Sequence, residues 1–394
     1  MSEQTLPDVD FNPDNIVRDA RAVTGLEHFA SDWYREPLER MCWSLENESK
    51  LNPLGRVLMR QRLVDVLSCQ LRVEDFCRRF PEIRDEQISE PLFIVGLPRT
   101  GTTMLHRTIA ADPRMFAPLW YEVRFPAPDA DWDFKSPDPR IARATAEMDQ
   151  MLASSPELTA IHPMDPVGPD ECIMLLEQSF FSYNAEAMVN MPSFGAWIEK
   201  QDHTPGYEYL KLLIQFLQWQ KKRNGQTGER WVLKAPHHIH FMDLVFKVFP
   251  DAKVVQTHRD PVQTIPSLVS LIYACWIIYS NEADPTEAGH QWARKFSDGM
   301  RRALGVRDEV GADRFLDLWF KDTVSQPLKQ IEKIYEFIGM DLTEEAKREM
   351  EAWQEFNKRE LRPPHEYTLE EFGFTEQSLA DLFVEYRQRF ILNH

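Results

Sequence analysis

The chain has 394 residues, 43% of them aliphatic, aromatic or sulfur-bearing, which suits a large globular core in roughly two or three domains. Lys and Arg number 45 against 63 Asp and Glu, and the resulting net charge of −18 argues against general binding to nucleic acid or to an anionic membrane. Five cysteines without a CxxC spacing indicate neither a disulfide framework nor a zinc knuckle, and they fit a reducing compartment.

The first fifteen residues are polar and acidic and lack the basic-then-apolar layout of a signal peptide, so a cytoplasmic location is expected. Residues 1–88 read as a helical N-terminal segment, because Leu54, Val57, Leu58, Val64, Leu67 and Leu71 recur near one face at a 3.6-residue period. A second unit, residues 89–394, begins where short apolar strands start to alternate with helices. That pattern predicts a parallel sheet with helical crossovers. The expected strands are Leu92–Val95, Trp231–Leu233, Lys253–Thr257 and Phe315–Phe320.

Residues 126–139, rich in Pro and Asp, read as a surface loop beside a site. Ile239, Met242, Phe246 and Phe249 line one face of a helix that Pro250 ends. Ile265–Tyr279 is apolar on every side and shorter than the roughly 20 residues a bilayer requires, so a buried helix rather than a transmembrane one is expected. Its far end, with Trp276 and Tyr279, could instead wall an apolar acceptor pocket. Val324, Leu328, Ile331, Tyr335 and Ile338 mark a late helix closed by Gly339. Thr368 and Glu371 form a capping box ahead of Gly373.

The strand Leu92–Val95 runs into Gly96-Leu-Pro-Arg-Thr-Gly-Thr-Thr103 and then into an apolar helix. Glycines at a strand-to-helix turn let backbone NH groups approach an anion, with the positive end of the helix dipole behind them. The phosphate loop of nucleoside triphosphatases reads GxxxxGK[ST], but Thr102 occupies the lysine position here and the cation is Arg99, inside the loop. In an open parallel sheet, ligands sit beyond the carboxyl ends of the strands. Two further cations fall there, Lys234 and Arg259. Three such cations in an acidic chain imply a ligand with more than one anionic group.

Ser267 lies eight residues after Arg259, and with this spacing the chain resembles the sulfotransferases that use 3′-phosphoadenosine-5′-phosphosulfate. Its nearest likeness is to the branch related to protein-tyrosine sulfotransferases and to broad bacterial families. The resemblance runs over about residues 91–340. It implies a three-layer α/β/α, P-loop-like fold with a central parallel sheet and the helical N-terminal segment. It also implies that Pro98, Arg99, Thr100, Gly101, Thr102 and Thr103 cradle the 5′-phosphosulfate, and that Arg259 and Ser267 hold the 3′-phosphate. Tyr121-Glu122-Val123-Arg124 is similar to the family's Glu-x-Arg, and Lys234-Ala-Pro236 to its Lys-x-Pro. By that likeness Glu122 is the base and Lys234 and Arg99 steady the transferring group. No metal is implied.

The chemistry of the residues is consistent with those roles, since sulfuryl transfer to a hydroxyl requires a base at the acceptor and cations on the oxygens that gain charge. Histidine is the competing base. His237, His238 and His240 cluster after Lys234, lining the nucleotide site or capping a helix, and a metal reading of HHxH lacks a carboxylate or cysteine at ligand spacing. His162 and Glu171 are expected to face the acceptor, a small and hydrophobic hydroxylated molecule. One departure from the resemblance is the missing glycine-rich basic segment near the C-terminus, where Lys358-Arg-Glu-Leu-Arg362 and the residues to Tyr367 stand instead. The competing functions are a nucleotide-dependent kinase, with Thr103 on Mg²⁺, and a binding protein that has lost the chemistry.

Overall fold

The structure is a computed structural model that describes residues 9–134, 137–154, 164–357 and 367–394. Five parallel strands form its sheet: β1 (Leu92–Gly96), β2 (Met115–Phe116), β3 (Arg230–Lys234), β4 (Lys253–His258) and β5 (Phe315–Trp319). Their order across the sheet is β2-β3-β1-β4-β5, which puts β1 at the centre. Ile94 is in register with Lys234 on one side and with Val255 on the other, while Gly96 pairs with Thr257. The exits of β1, β3 and β4 therefore lie side by side.

Alternation along β1 explains the layers. Phe93 and Val95 point into a core shared with Leu233 and Val254 and with three N-terminal helices, α1 (Pro13–Thr24), α2 (Arg35–Asn47) and α3 (Pro53–Arg79). Leu92 and Ile94 point the other way, onto Leu105 and Ile109 of α4 (Thr102–Ile109) and onto Ile331, Ile334 and Ile338. The N-terminal helices thus continue the core on one face of the sheet. Their joint is a backbone one as well, because Asn52 N donates to Tyr279 O at 2.8 Å and Leu51 forms a bridge with Ser280.

Most expected elements occur where the periodicity put them, and the departures have local causes. The two-residue strand β2 is too short to carry a pattern. Pro327 divides the late helix into Phe320–Ser325 and Pro327–Ile338, so Val324 belongs to the first piece and is 59% exposed rather than on the buried stripe. Gly339 closes the second piece at φ +70°. The loop after residue 125 is a surface loop only in part, since Pro126, Ala127 and Pro128 are buried. The apolar stretch belongs to a longer helix, Pro261–Tyr279, whose 19 residues suffice by length and composition to cross a membrane. It is packed inside the protein, with Ile265, Val269 and Trp276 buried and the indole of Trp276 donating to Glu186 O at 3.1 Å.

Five of the six buried histidines among the described residues make the fold sensitive to acid. Burial lowers the imidazole pKa of His106 and His238 to about 3 and of His203 to about 4, and it holds His237 and His240 well below the usual value. Above pH 6.5 these rings are neutral in both the folded and the unfolded chain, so their contribution to stability is fully present. As pH falls below 6.5 the unfolded chain binds protons that the folded one refuses, and stability drops by about 1.4 kcal/mol per pH unit for each such ring. Urea melts at pH 7, 6 and 5 are expected to show a midpoint that falls steeply over this range. A midpoint constant from pH 7 to 5 would contradict it.

Candidate functional site

The loop Gly96–Thr103 turns tightly between β1 and α4. Gly101 takes φ +90° at the N-cap of α4, a left-handed conformation that leaves the first NH groups of the helix unobstructed. Thr100 is buried, with its hydroxyl donating to Leu97 O at 2.6 Å and lying 2.6 Å from the hydroxyl of Thr257 on β4. That pairing ties the loop to the neighbouring strand. Arg99 is exposed at the rim and has φ +66°, a strained value for a residue with a side chain.

Lys234 ends β3 beside this loop. Its side chain is 2% exposed, and its Nζ donates to Thr103 Oγ1 at 3.1 Å and to the carboxylate of Glu171. A lysine so buried requires such partners. Glu171 itself remains partly exposed at 19%, so the pair opens toward solvent on the carboxylate side.

Several contacts fix Glu171 in this position. Arg107 of α4 donates to Pro169 O at 3.0 Å and pairs with Asp170, and Asp170 N donates to Pro118 O at 2.9 Å. Cys172 N donates to Lys234 O at 3.1 Å, which joins the residue after the carboxylate to the lysine's own carbonyl. The thiol of Cys172 donates to the same carbonyl at 3.4 Å and lies 3.0 Å from His238 Nε2, while His238 Nδ1 is 2.8 Å from Tyr207 Oη. One proton assignment satisfies the chain: Tyr207 donates to Nδ1, Nε2–H to sulfur, and sulfur to the carbonyl. His238 is therefore a brace behind Lys234, and desolvation also raises the Cys172 thiol far above its usual range.

Arg259 follows β4, half-buried, with its Nη1 donating to Arg99 O at 3.0 Å and its guanidinium carbon 4.1 Å from the ring centre of Phe320. Burial, and in smaller measure the charge of Arg99, lowers its pKa from the ordinary value. Two guanidinium groups so placed are complementary to an anion. The turn that carries Arg259 is braced from the C-terminus, where Arg387 grips Asp260 through two 3.0 Å bonds and Tyr386 lies 3.1 Å from His258. Ser267, two turns into the Pro261–Tyr279 helix, is buried.

The placement of the carboxylates differs from the expectation. Glu122 is buried, one oxygen accepting from Leu119 N at 2.9 Å and the other from Lys221 Nζ at 2.7 Å. Its carboxylate caps the short helix α5 (Trp120–Arg124) inside an ion pair, and both oxygens are spent on the protein itself. Glu122, expected as the base, is thus held in a buried ion pair with Lys221 that anchors α5. Glu171, expected to face the acceptor, is the carboxylate that reaches Lys234, which in turn reaches the loop at Thr103. His237 and His240 are buried with neither ring nitrogen hydrogen-bonded, and no metal-ligating cluster occurs among the described residues. His162 and Lys358–Glu366 lie outside the described residues. The contacts that sequence reasoning missed, Arg107, Cys172, Tyr207 and Arg387, are distant in the chain from what they hold.

An α/β protein with an anion cradle at the carboxyl edge of its parallel sheet, flanked by a lysine and an arginine from the adjoining strands, defines a class that binds and transfers anionic groups. The chain belongs to the sulfotransferase family, which it matches over residues 91–344. It is 27% identical over 257 residues to omega-hydroxy-beta-dihydromenaquinone-9 sulfotransferase Stf3 of Mycobacterium bovis, a match covering 64% of this chain and 63% of the relative. The match thus spans less than two thirds of that relative's length. The crystal structure of sulfotransferase STF1 from Mycobacterium tuberculosis H37Rv is similar with a TM-score of 0.81 and 28% identity, over 97% of this chain and 99% of that one. Sulfotransferase STF9 from Mycobacterium avium gives 0.85 and 27%, over 98% of both chains.

The ion pair at α5 gives a direct test of the placement of Glu122. Lys221→Met leaves a buried carboxylate uncompensated and is expected to cost about 3–5 kcal/mol, read from urea melts. Adding Glu122→Leu is expected to restore part, but not all, of that loss, because the stranded charge is gone while the cap on Leu119 N is lost with it. An unchanged melt for the single variant would show that Glu122 is solvated.

Proposed function

We propose that this protein moves a sulfuryl group from 3′-phosphoadenosine-5′-phosphosulfate to the hydroxyl of a small hydrophobic acceptor, with Glu171 as the base. The observation that carries this reading is the contact of one buried lysine, Lys234, with both the loop hydroxyl of Thr103 and the Glu171 carboxylate. Base, cation and anion cradle thereby converge on one point, as in-line transfer demands.

The residues present fit the donor. The NH groups at the start of α4, together with Arg99, Thr102 and Thr103, would hold its phosphosulfate end, and Arg259 with Ser267 its 3′-phosphate. When bound, the donor supplies the sulfuryl group and the phosphate that leaves. Glu171 takes the proton of the acceptor hydroxyl as the new oxygen–sulfur bond forms. Lys234 and Arg99 neutralise the charge that gathers on the peripheral and bridging oxygens as the old sulfur–oxygen bond breaks. Lys234 also orients Glu171, so a single side chain aligns base and donor.

The hydroxylated menaquinone in the name of the M. bovis relative supports a hydrophobic acceptor, as does the apolar Pro261–Tyr279 helix that carries Ser267.

The test uses radiolabelled donor with a panel of alcohols and phenols, together with calorimetry of 3′-phosphoadenosine 5′-phosphate against ATP with Mg²⁺. Glu171→Gln is expected to lower kcat by about 10²–10⁴-fold with nucleotide affinity retained, the usual loss for a positioned base. Arg259→Ala is expected to weaken nucleotide binding by about tenfold or more, the loss of a charge-assisted bond. Full turnover by Glu171→Gln would overturn the base assignment, and a preference for ATP with Mg²⁺ would overturn the donor.

A further inference from the structure

A cavity of about 350 Å³ opens between the turn Pro236–Phe241, which follows Lys234, and the long helix Pro285–Val310. It shares no residue with the loop, Lys234, Glu171 or Arg259. His240 lines it from the turn, and four cations line it from the helix: Arg294, Lys295, Arg301 and Arg302. In a chain with a net charge of −18 this is a local reversal of sign.

The carboxylates nearby are already matched. Lys295 sits between Glu186, at 2.9 Å, and Glu199, while Arg294 holds Glu199 at 2.8 Å. Arg301 holds Asp298 at 3.1 Å. Arg302 is the remaining cation, without a carboxylate partner among the described residues, hydrogen-bonded to the Tyr183 hydroxyl and with its guanidinium carbon 5.9 Å from the Phe241 ring. Counted over these groups, four cations face three carboxylates.

His240 is the second, independent observation. It is 2% exposed, yet neither ring nitrogen has a hydrogen-bond partner. A buried ring nitrogen without a partner keeps its desolvation cost unrepaid, so a ligand atom or water is wanted there. The helix comes within contact of this ring because position 299 is glycine, where a Cβ would strike His240 Nδ1. Burial, followed by Arg302 and Lys295, keeps the imidazole neutral and so leaves it one N–H to donate. A guanidinium without a carboxylate, five N–H donors of which the Tyr183 hydroxyl takes only a share, and an unpartnered imidazole N–H on one cavity make a donor set for an oxyanion.

We infer that this cavity is a second anion site, separate from the transfer site, that takes the phosphate group of a small molecule between Arg302, Arg301 and His240. Arg302 supplies the charge, Arg301 the second guanidinium edge, and His240 a donor from the cavity wall. The volume exceeds that of a single phosphate, so the remainder of a phosphorylated molecule has room beside it.

The test titrates inorganic phosphate by calorimetry into the full-length protein in two hosts: one saturated with 3′-phosphoadenosine 5′-phosphate, the other carrying Arg99→Ala with Arg259→Ala. Both silence the loop, the first by filling it and the second without needing any nucleotide. Saturable phosphate binding is expected in each, weakened about tenfold or more by Arg302→Ala, the loss of a charge-assisted bond, and partly restored by Arg302→Lys. Adenosine 5′-monophosphate is titrated in parallel. Tighter binding than phosphate assigns the site to a nucleotide's phosphate, and equal or weaker binding assigns it to the free anion. No saturable phosphate binding in either host, or binding that Arg302→Ala leaves unchanged, would overturn the inference.

Discussion

Lys234 is the constraint around which the site is built. An ammonium with 2% of its surface exposed cannot remain charged without partners, and its partners are Thr103 on the loop after β1 and Glu171 on the segment before Cys172. Each of these needs its own support. Thr103 lies in the first turn of α4, which Gly101 makes possible, and Glu171 is pinned by Arg107, Cys172 and His238. Removing the lysine would strand a carboxylate and loosen the joint between β1, β3 and the 165–171 segment at once.

The parts of the site that were readable in the sequence are those whose signal is local. Gly96 to Thr103 is a strand-to-helix turn complete within eight residues, and Arg259 with Ser267 is a pair one helix start apart. Lys234 was readable because it closes an apolar run. What could not be read depends on partners far along the chain. Nothing near Glu122 announces Lys221, 99 residues later, so the ion pair that holds its carboxylate could not be read. Glu171 was half legible: its loop marked it as facing something, but Lys234 lies 63 residues away. The same logic applies to the fold. Strands and amphipathic helices appeared by periodicity, whereas β2 exists only because Met115 and Phe116 meet Arg230 and Trp231.

The two arginines at the sheet edge are coupled through backbone rather than through a shared carboxylate. Arg259 donates to the carbonyl of Arg99, and Arg99 presents that carbonyl from a left-handed conformation costing about 1–2 kcal/mol. The strain and the bond are two sides of one arrangement: the turn that aims the carbonyl at Arg259 also carries the Arg99 side chain to the rim. A substitution relaxing Arg99 to an ordinary φ would therefore move both cations relative to each other.

The C-terminal helices extend this coupling to the far end of the chain. Arg387 and Tyr386 hold the His258–Asp260 turn, and His258 in turn lies 2.9 Å from Asp317 on β5, whose other oxygen takes Arg307 at 2.8 Å. The position of Arg259 is thus set from β5, from the Pro285–Val310 helix and from the C-terminus together. Under the proposed function the site recognises two anionic groups a fixed distance apart and gains from such bracing, because each cation off its mark loses a bidentate contact while its desolvation remains. The loop that carries Arg99 is tied to the same strand through Thr100 and Thr257, so β4 and the Arg259 turn together set the spacing of the two arginines.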